Sequence, residues 1–248
     1  MRKDIAIETH KLTKRFGDFV AANEITFEVK RGEIFGFLGA NGAGKTTAMR
    51  MLCGLSRPSS GSGMVAGFDV YDQPERIKEN IGYMSQKFSL YEDLTVAENI
   101  RFFGGIYGLS RKEIKARMGP LLQRIGLEQN KDKLVQDLPL GWKQKLSFSV
   151  AIFHHPQIVF LDEPTGGVDP VTRRQFWDQI YEASDQGITV FVTTHYMDEA
   201  EYCNRISMMV DGCMEAIDTP ANLKKRFQAD SMDEVFYQLA RGAKRQAD

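Results

Sequence analysis

The run Gly39-Ala40-Asn41-Gly42-Ala43-Gly44-Lys45-Thr46 matches the pattern GxxxxGK[ST] in full. Glycines at these positions admit backbone angles closed to other residues, so successive N–H groups can turn inward around an anion. A helix opening at the end of the loop would aim its positive dipole end at the same point. Lys45 is placed to reach the β- and γ-phosphates of a nucleotide, and Thr46 to ligate magnesium. Thr47 would add one more hydrogen bond to phosphate. A chance glycine-rich turn is the competing reading. The flanks argue against it, because the apolar run Ile34-Phe35-Gly36-Phe37-Leu38 precedes the loop and a helical pattern from Lys45 to Cys53 follows.

Two carboxylates follow a second apolar run, Ile158-Val159-Phe160-Leu161-Asp162-Glu163. Asp162 is suited to hold magnesium and Glu163 to polarise an attacking water. Acids in isolation read as solvated loop residues; behind a buried strand, in a chain with a phosphate cradle, they read as chemistry. His195 closes a third run, Val192-Thr193-Thr194-His195. It is either a hydrogen-bonded structural group or a catalytic one at the same edge of the sheet.

The elements that must position these residues are legible in outline. Ile34–Leu38, Ile158–Leu161 and Ile188–Val192 are continuous apolar runs, as expected of strands covered on both faces. Each leads into polar residues and then a helical pattern, the arrangement of an α/β sheet with its chemistry at the C-terminal strand ends. Residues 5–9 and 25–29 alternate like half-buried antiparallel strands. From about 88 to 155 the strand signals vanish. Thr95-Val96-Ala97-Glu98 predicts a capping box opening a helix through Tyr107, and Ile114, Met118, Leu121, Leu122 and Ile125 continue at helical spacing. Asp169-Pro170 predicts a helix start, Gly187 a stop, and Asp211-Gly212 a hairpin. The expected organisation is one domain over 1–248. Its α/β core comprises 1–87 and 156–222, with a helical insertion at 88–155 and a C-terminal helical tail at 223–248.

Composition narrows the classes. The chain has 248 residues, 42% of them hydrophobic, and a formal net charge of -1, which gives no electrostatic case for a nucleic-acid partner. Cys53, Cys203 and Cys213 form no CxxC pair, which argues against a zinc knuckle or a disulfide framework and fits a reducing cytosol. Charges interrupt the N-terminus where a signal peptide would be apolar. No window approaches the ~20 apolar residues of a spanning helix, so any membrane role is expected to come through a partner.

In order and spacing these residues resemble the ATP-binding subunits of ABC transporters, from residue 6 to residue 240. Residues 39–46 match the Walker A loop, Gln86 the Q-loop glutamine, 138–142 the signature segment, 158–163 Walker B, Gly166-Gly167-Val168-Asp169 the D-loop, and His195 the switch histidine. The resemblance implies a P-loop NTPase core: a mixed sheet with flanking helices, an antiparallel β subdomain and an inserted helical subdomain. It further implies that Phe16, 23 residues before Gly39, stacks on adenine, a core phenylalanine being the other reading. Gln86 would sense magnesium and the γ-phosphate. Phe88 to Asn99 would help form the groove for a membrane subunit. Gly141 and Asp169 would serve a second ATP-binding subunit, the two closing head to tail over two Mg-ATP. The implied location is cytoplasmic, at the inner face of the cell membrane.

One segment departs from that family. Where its members read LSGGQ, this chain has Leu138-Pro139-Leu140-Gly141-Trp142. Pro139 has neither hydroxyl nor N–H, and Leu140 adds bulk, so a weaker clamp on the partner's γ-phosphate is expected. Gly141 keeps its N–H, beside a helix expected to start at Trp142. The segment resembles the LPLGW variant of bacterial drug-export ATPases, as do Thr194–Glu201 and Met232–Leu239. The last 26 residues carry Lys224, Lys225, Arg226, Arg241, Lys244 and Arg245 against four acids, a solvated face or a lipid contact. The alternatives are a soluble ABC-type ATPase of DNA repair or translation, and a weakly hydrolysing regulatory subunit.

Overall fold

The computed structural model describes residues 4–86 and 90–246; Phe88, expected at the partner groove, lies outside the described residues. In chain order the strands are β1 (Ile5–Phe16), β2 (Phe19–Lys30), β3 (Ile34–Gly39), β4 (Ser60–Val65), β5 (Phe68–Asp69), β6 (Ile81–Met84), β7 (Ile158–Asp162), β8 (Thr189–Thr194), β9 (Arg205–Val210) and β10 (Cys213–Asp218). The α-helices are α1 (Lys45–Leu52), α2 (Pro74–Asn80), α3 (Val96–Ile106), α4 (Arg111–Ile125), α5 (Leu140–Ala151), α6 (Pro170–Asp185), α7 (Pro220–Phe227) and α8 (Met232–Gln246).

The three apolar runs are β3, β7 and β8, and every residue of each is buried. They form the middle of a six-stranded sheet of order β10-β9-β3-β8-β7-β6, parallel except at the β9–β10 hairpin. The register sets Leu38 beside Thr194 and Asp162 beside Thr193. The phosphate loop, the paired acids and His195 therefore leave the same edge of the sheet. Asp211 (φ 46°) and Gly212 (φ 81°) make the expected two-residue turn between β9 and β10.

A second sheet, β2-β1-β4-β5, is antiparallel and packs over α1. Phe27, Phe35, Phe37, Phe160 and Phe191 fill the space between the sheets, with ring centroids 5.3–6.1 Å apart. Burying a side chain of this size contributes about 1.5–3 kcal/mol, so this cluster is a main anchor for the floor under the phosphate loop. β1 and β2 are 12 residues each, longer than the expected 5–9 and 25–29. Register shifts, with Lys11 and Glu24 at positive φ, break the alternation on which the shorter reading relied.

On the other face of the large sheet, Phe148, Phe176, Trp177 and Ile180 from α5 and α6 form a second core, which Leu223, Met232 and Val235 of α7 and α8 join. The C-terminal segment is thus two helices docked on the core. A third core lies within the helical insertion and includes Val96, Ile100, Ile114, Leu122, Leu146 and Phe153. Capping boxes start α3 (Thr95 with Glu98) and α4 (Ser110 with Glu113). Helix α5 belongs to both cores: Phe148 faces the sheet while Leu146 and Val150 face the insertion. It also begins earlier than expected, at Leu140, with Pro139 as N-cap (φ -55°). Proline's fixed φ and missing N–H cost nothing at that position, so Gly141 sits inside the first turn. Cys53 and Cys203 are buried, and Cys213 is half-buried.

Candidate functional site

The loop between β3 and α1 turns through Gly42 (φ 82°) and Gly44 (φ 102°), the latter serving as the N-cap of α1. Side chains would not fit here: a Cβ on Gly44 would strike the carbonyl of Ala21, and one on Gly39 that of Met209. Lys45 is almost fully buried and donates to the carbonyls of Gly39 (2.8 Å) and Ala40 (3.0 Å). Burial lowers its pKa, while the charges of Glu163 and Asp162 act the other way.

At the tip of β7, Asp162 accepts hydrogen bonds through Oδ1 from Thr193 Oγ1 (2.6 Å) and Thr46 Oγ1 (3.2 Å). Glu163 stands at φ 49°, held there because its N–H donates to the carbonyl (3.0 Å) and the hydroxyl (3.2 Å) of Thr193. That strained turn directs its carboxylate toward the loop. Oε1 lies 3.5 Å from Lys45 Nζ, and Oε2 is 3.0 Å from both Gln86 Nε2 and His195 Nδ1. The cavity over the loop, about 290 Å³, is lined by Asn41, Gly42, Gly44, Lys45, Thr46, Thr47, Gln86 and Glu163, with Ala21 and Phe19 on the β2 side.

Residues expected from four separate stretches thus converge: the loop with Lys45, Thr46 and Thr47, then Asp162 with Glu163, then Gln86, then His195. Ala43 is buried within the loop. Phe16 is exposed at the end of β1 with the ammonium of Lys14 5.0 Å from its ring centre. Its cross-strand neighbour Phe19, also exposed, lines the cavity and was not anticipated. A Phe-Gly-Asp-Phe stretch is a hairpin signal that would have exposed it. Thr193 was missed as well; its only sequence signal is the register that places it opposite Asp162.

Gly141 and Asp169 lie together elsewhere. A Cβ on Gly141 would meet Thr172 Cγ2 at 2.7 Å, and Leu140 Cδ2 lies 3.8 Å from where a Cβ on Gly167 would stand. Asp169 caps α6, accepting from the N–H groups of Val171 and Thr172 (3.0 Å each) and from Thr172 Oγ1 (2.6 Å). The Thr172 hydroxyl bond is the largest of the influences lowering its pKa.

The donor set tests the fit to magnesium. Among the described residues no group of three or more His, Cys, Asp or Glu could hold a metal alone. Thr46 Oγ1 and Asp162 Oδ1, 3.2 Å apart, offer two hard oxygens beside the phosphate cradle. That suits a magnesium ion whose other ligands are phosphate oxygens and water.

A buried-strand loop that cradles phosphate, a lysine inside it and a paired-acid strand tip define a P-loop ATPase domain. The sequence profile described as "ABC transporter" matches residues 22–166. The chain is 46% identical, over 95% of its length, to the probable multidrug ABC transporter ATP-binding protein YbhF of Escherichia coli (strain K12), and covers 42% of that protein. It is 36% identical, over 91% of its length, to the linearmycin resistance ATP-binding protein LnrL of Bacillus subtilis (strain 168), covering 73% of it. A solved ATP binding subunit of an ABC transporter superposes with a TM-score of 0.85 at 29% identity, covering 94% of this chain and 99% of that one. The chain therefore belongs to the ABC transporter family, as its ATP-binding, ATP-hydrolysing domain.

Proposed function

We propose that this chain binds Mg-ATP over Gly39–Thr47, closes head to tail on a second ATP-binding subunit, and drives export through separate membrane subunits from the cytoplasmic side. The convergence of Lys45, Gln86 and His195 on the Glu163 carboxylate carries the catalytic part. Loop N–H groups and Lys45 hold the phosphates. Phe16 or Phe19 offers the base an aromatic face. Glu163 takes the attacking water's proton, His195 and Gln86 orient both, and Asp162 with Thr46 holds the metal. Magnesium held there would supply positive charge against the phosphates.

Gly141 and Asp169 stand away from this cavity, next to each other, which suits service to a partner's nucleotide. The N–H groups of Leu140 and Gly141 precede the first one that bonds back into α5, that of Trp142 to the Pro139 carbonyl, and so remain available there. Among the described residues no helix is long and apolar enough to cross a membrane. An exposed apolar surface supports a membrane partner: Leu55, Tyr91, Phe102 and Ile106 are all exposed, and Leu55, Ile106 and Tyr107 line a cavity of about 620 Å³ between α2 and the end of α3. Drug export is supported by what YbhF and LnrL are named for.

A Glu163→Gln variant should keep ATP affinity within about threefold, lose at least ~100-fold in turnover and accumulate as an ATP-bound dimer. Turnover within tenfold of the parent would remove Glu163 from its role. Purification from membranes should recover a multi-spanning protein that stimulates ATPase activity; recovery of soluble partners alone would overturn the transport reading.

A further inference from the structure

Glu163 and His195 leave adjacent strands and meet at 3.0 Å, yet each is followed by a short non-strand segment. The residues that lock those segments together include a fully buried glutamate with no place in the reaction. Glu199, on the turn of 3-10 helix Met197–Tyr202, accepts a 2.5 Å hydrogen bond through Oε1 from Thr165 Oγ1, two residues beyond Glu163. Arg173 Nε lies 3.7 Å from the same oxygen, and Arg173 Nη1 3.4 Å from Asp198 Oδ2. The Arg173 guanidinium centre sits 4.4 Å from the centroid of the Tyr196 ring, and the Tyr196 ring lies 4.2 Å from the His195 ring.

His195 is therefore held by Glu163 at Nδ1, while its ring lies against Tyr196, which Arg173 covers in turn. A buried carboxylate is costly unless paired and hydrogen-bonded, so Glu199 needs both Thr165 and Arg173. Its Oε2 and Arg173 Nε have no hydrogen-bond partner of their own, so Glu199 and Arg173 meet through charge. Arg173 also follows Thr172, whose Cγ2 lies 2.7 Å from where a Cβ on Gly141 would stand, so the same turn of α6 abuts the signature segment.

We propose that Arg173 and Glu199 are positioning residues: together they fix the Tyr196 ring that sets the His195 imidazole against Glu163, and so set the rate of the chemical step without touching nucleotide. This rests on the roles given above to Glu163 and His195.

The test measures kcat, KM and equilibrium ATP affinity for Arg173→Lys, Glu199→Gln, Tyr196→Leu and Tyr196→Phe in the full chain. Thermal melting and the His195 ring NMR signals are followed alongside. Arg173→Lys keeps the charge but loses the flat face, and Glu199→Gln keeps the Thr165 bond but loses the charge. Expected are a tenfold or greater fall in kcat for Arg173→Lys, Glu199→Gln and Tyr196→Leu, ATP affinity within twofold, and shifted His195 ring signals. Tyr196→Phe should restore at least half of the parent kcat and the parent ring signals. Unchanged kcat and His195 signals in Arg173→Lys and Tyr196→Leu would overturn the proposal. So would a kcat loss that tracks melting temperature across all four variants. Glu163→Gln separates the two readings: if it retains turnover, the catalytic assignment itself has failed; if it loses turnover while Arg173→Lys does not, only the positioning role has.

Discussion

At the scale of single residues, environment decides what each group can do. His154 accompanies the site without taking part in it. Its ring stacks on Tyr107 with centroids 3.9 Å apart, and Nε2 lies 3.2 Å from the carbonyl of Ile81, at the start of the strand that leads to Gln86. Burial, the main cause, lowers its pKa to about 4, and Nδ1 has no hydrogen-bond partner. A folded-state pKa depressed below the unfolded value means the unfolded chain binds the proton more tightly, so stability is complete above about 6.5 and falls as pH drops from there toward 4. After discounting for partial solvent access, the loss is about 1–2 kcal/mol. Unfolding in denaturant at pH 4.5 and pH 7.5 should show that difference in the parent and a smaller one in His154→Asn. An equal acid loss in both would assign the effect to other groups. Lys45 was legible from spacing, since GxxxxGK[ST] has one chemical use, and the acids from their place behind a buried apolar strand. Thr193, Arg173 and Glu199 were not, because each acts through a neighbour distant in sequence, whereas Phe19 was overlooked in a local hairpin signal, Phe-Gly-Asp-Phe.

At the scale of elements, the buried strands were legible because cover on both faces leaves an uninterrupted apolar run. β6, only four residues, and the outer halves of β1 and β2 were not; bulges break the period-2 pattern there. Helices α3 and α4 announced themselves through caps. Helix α5 starts two residues before the expected Trp142, because Pro139 at the N-cap lacks only an N–H that the helix does not use. A prediction follows for Pro139→Ser. A serine N-cap is worth about 1 kcal/mol to α5, while giving up proline costs about 0.4–1 kcal/mol through the unfolded chain. The two nearly cancel, so melting should move little. In the head-to-tail dimer proposed above, the new hydroxyl would face the partner's phosphate, and one more hydrogen bond of about 0.5–1.5 kcal/mol should tighten ATP-driven dimers roughly 2- to 10-fold. Analytical ultracentrifugation of the Glu163→Gln background with and without Pro139→Ser reads this; an unchanged dimer constant would mean that the segment does not face phosphate.

At the scale of the whole molecule, one edge of the large sheet gathers the chemistry while the exposed apolar residues of α3 lie to the side of it. Docking and hydrolysis should therefore separate under mutation. Ile106→Asp places a charge on the 620 Å³ groove without touching the loop, and it should abolish recovery of the membrane partner. Basal turnover of the purified chain should stay within about twofold, since surface changes of this kind seldom move stability beyond ±0.5 kcal/mol. Retained partner with lost turnover would reverse the assignment. The buried cysteines give the same geography a clock. Cys53 closes α1 at the wall of the 620 Å³ groove, and Cys203 closes the turn that carries Glu199. Burial raises the pKa of both thiols. An alkylating reagent therefore reaches either one only when its neighbourhood opens. The half-buried Cys213 supplies a faster reference in the same chain. The native thiols thus time the opening of the docking groove and of the histidine turn separately, with no label engineered into either.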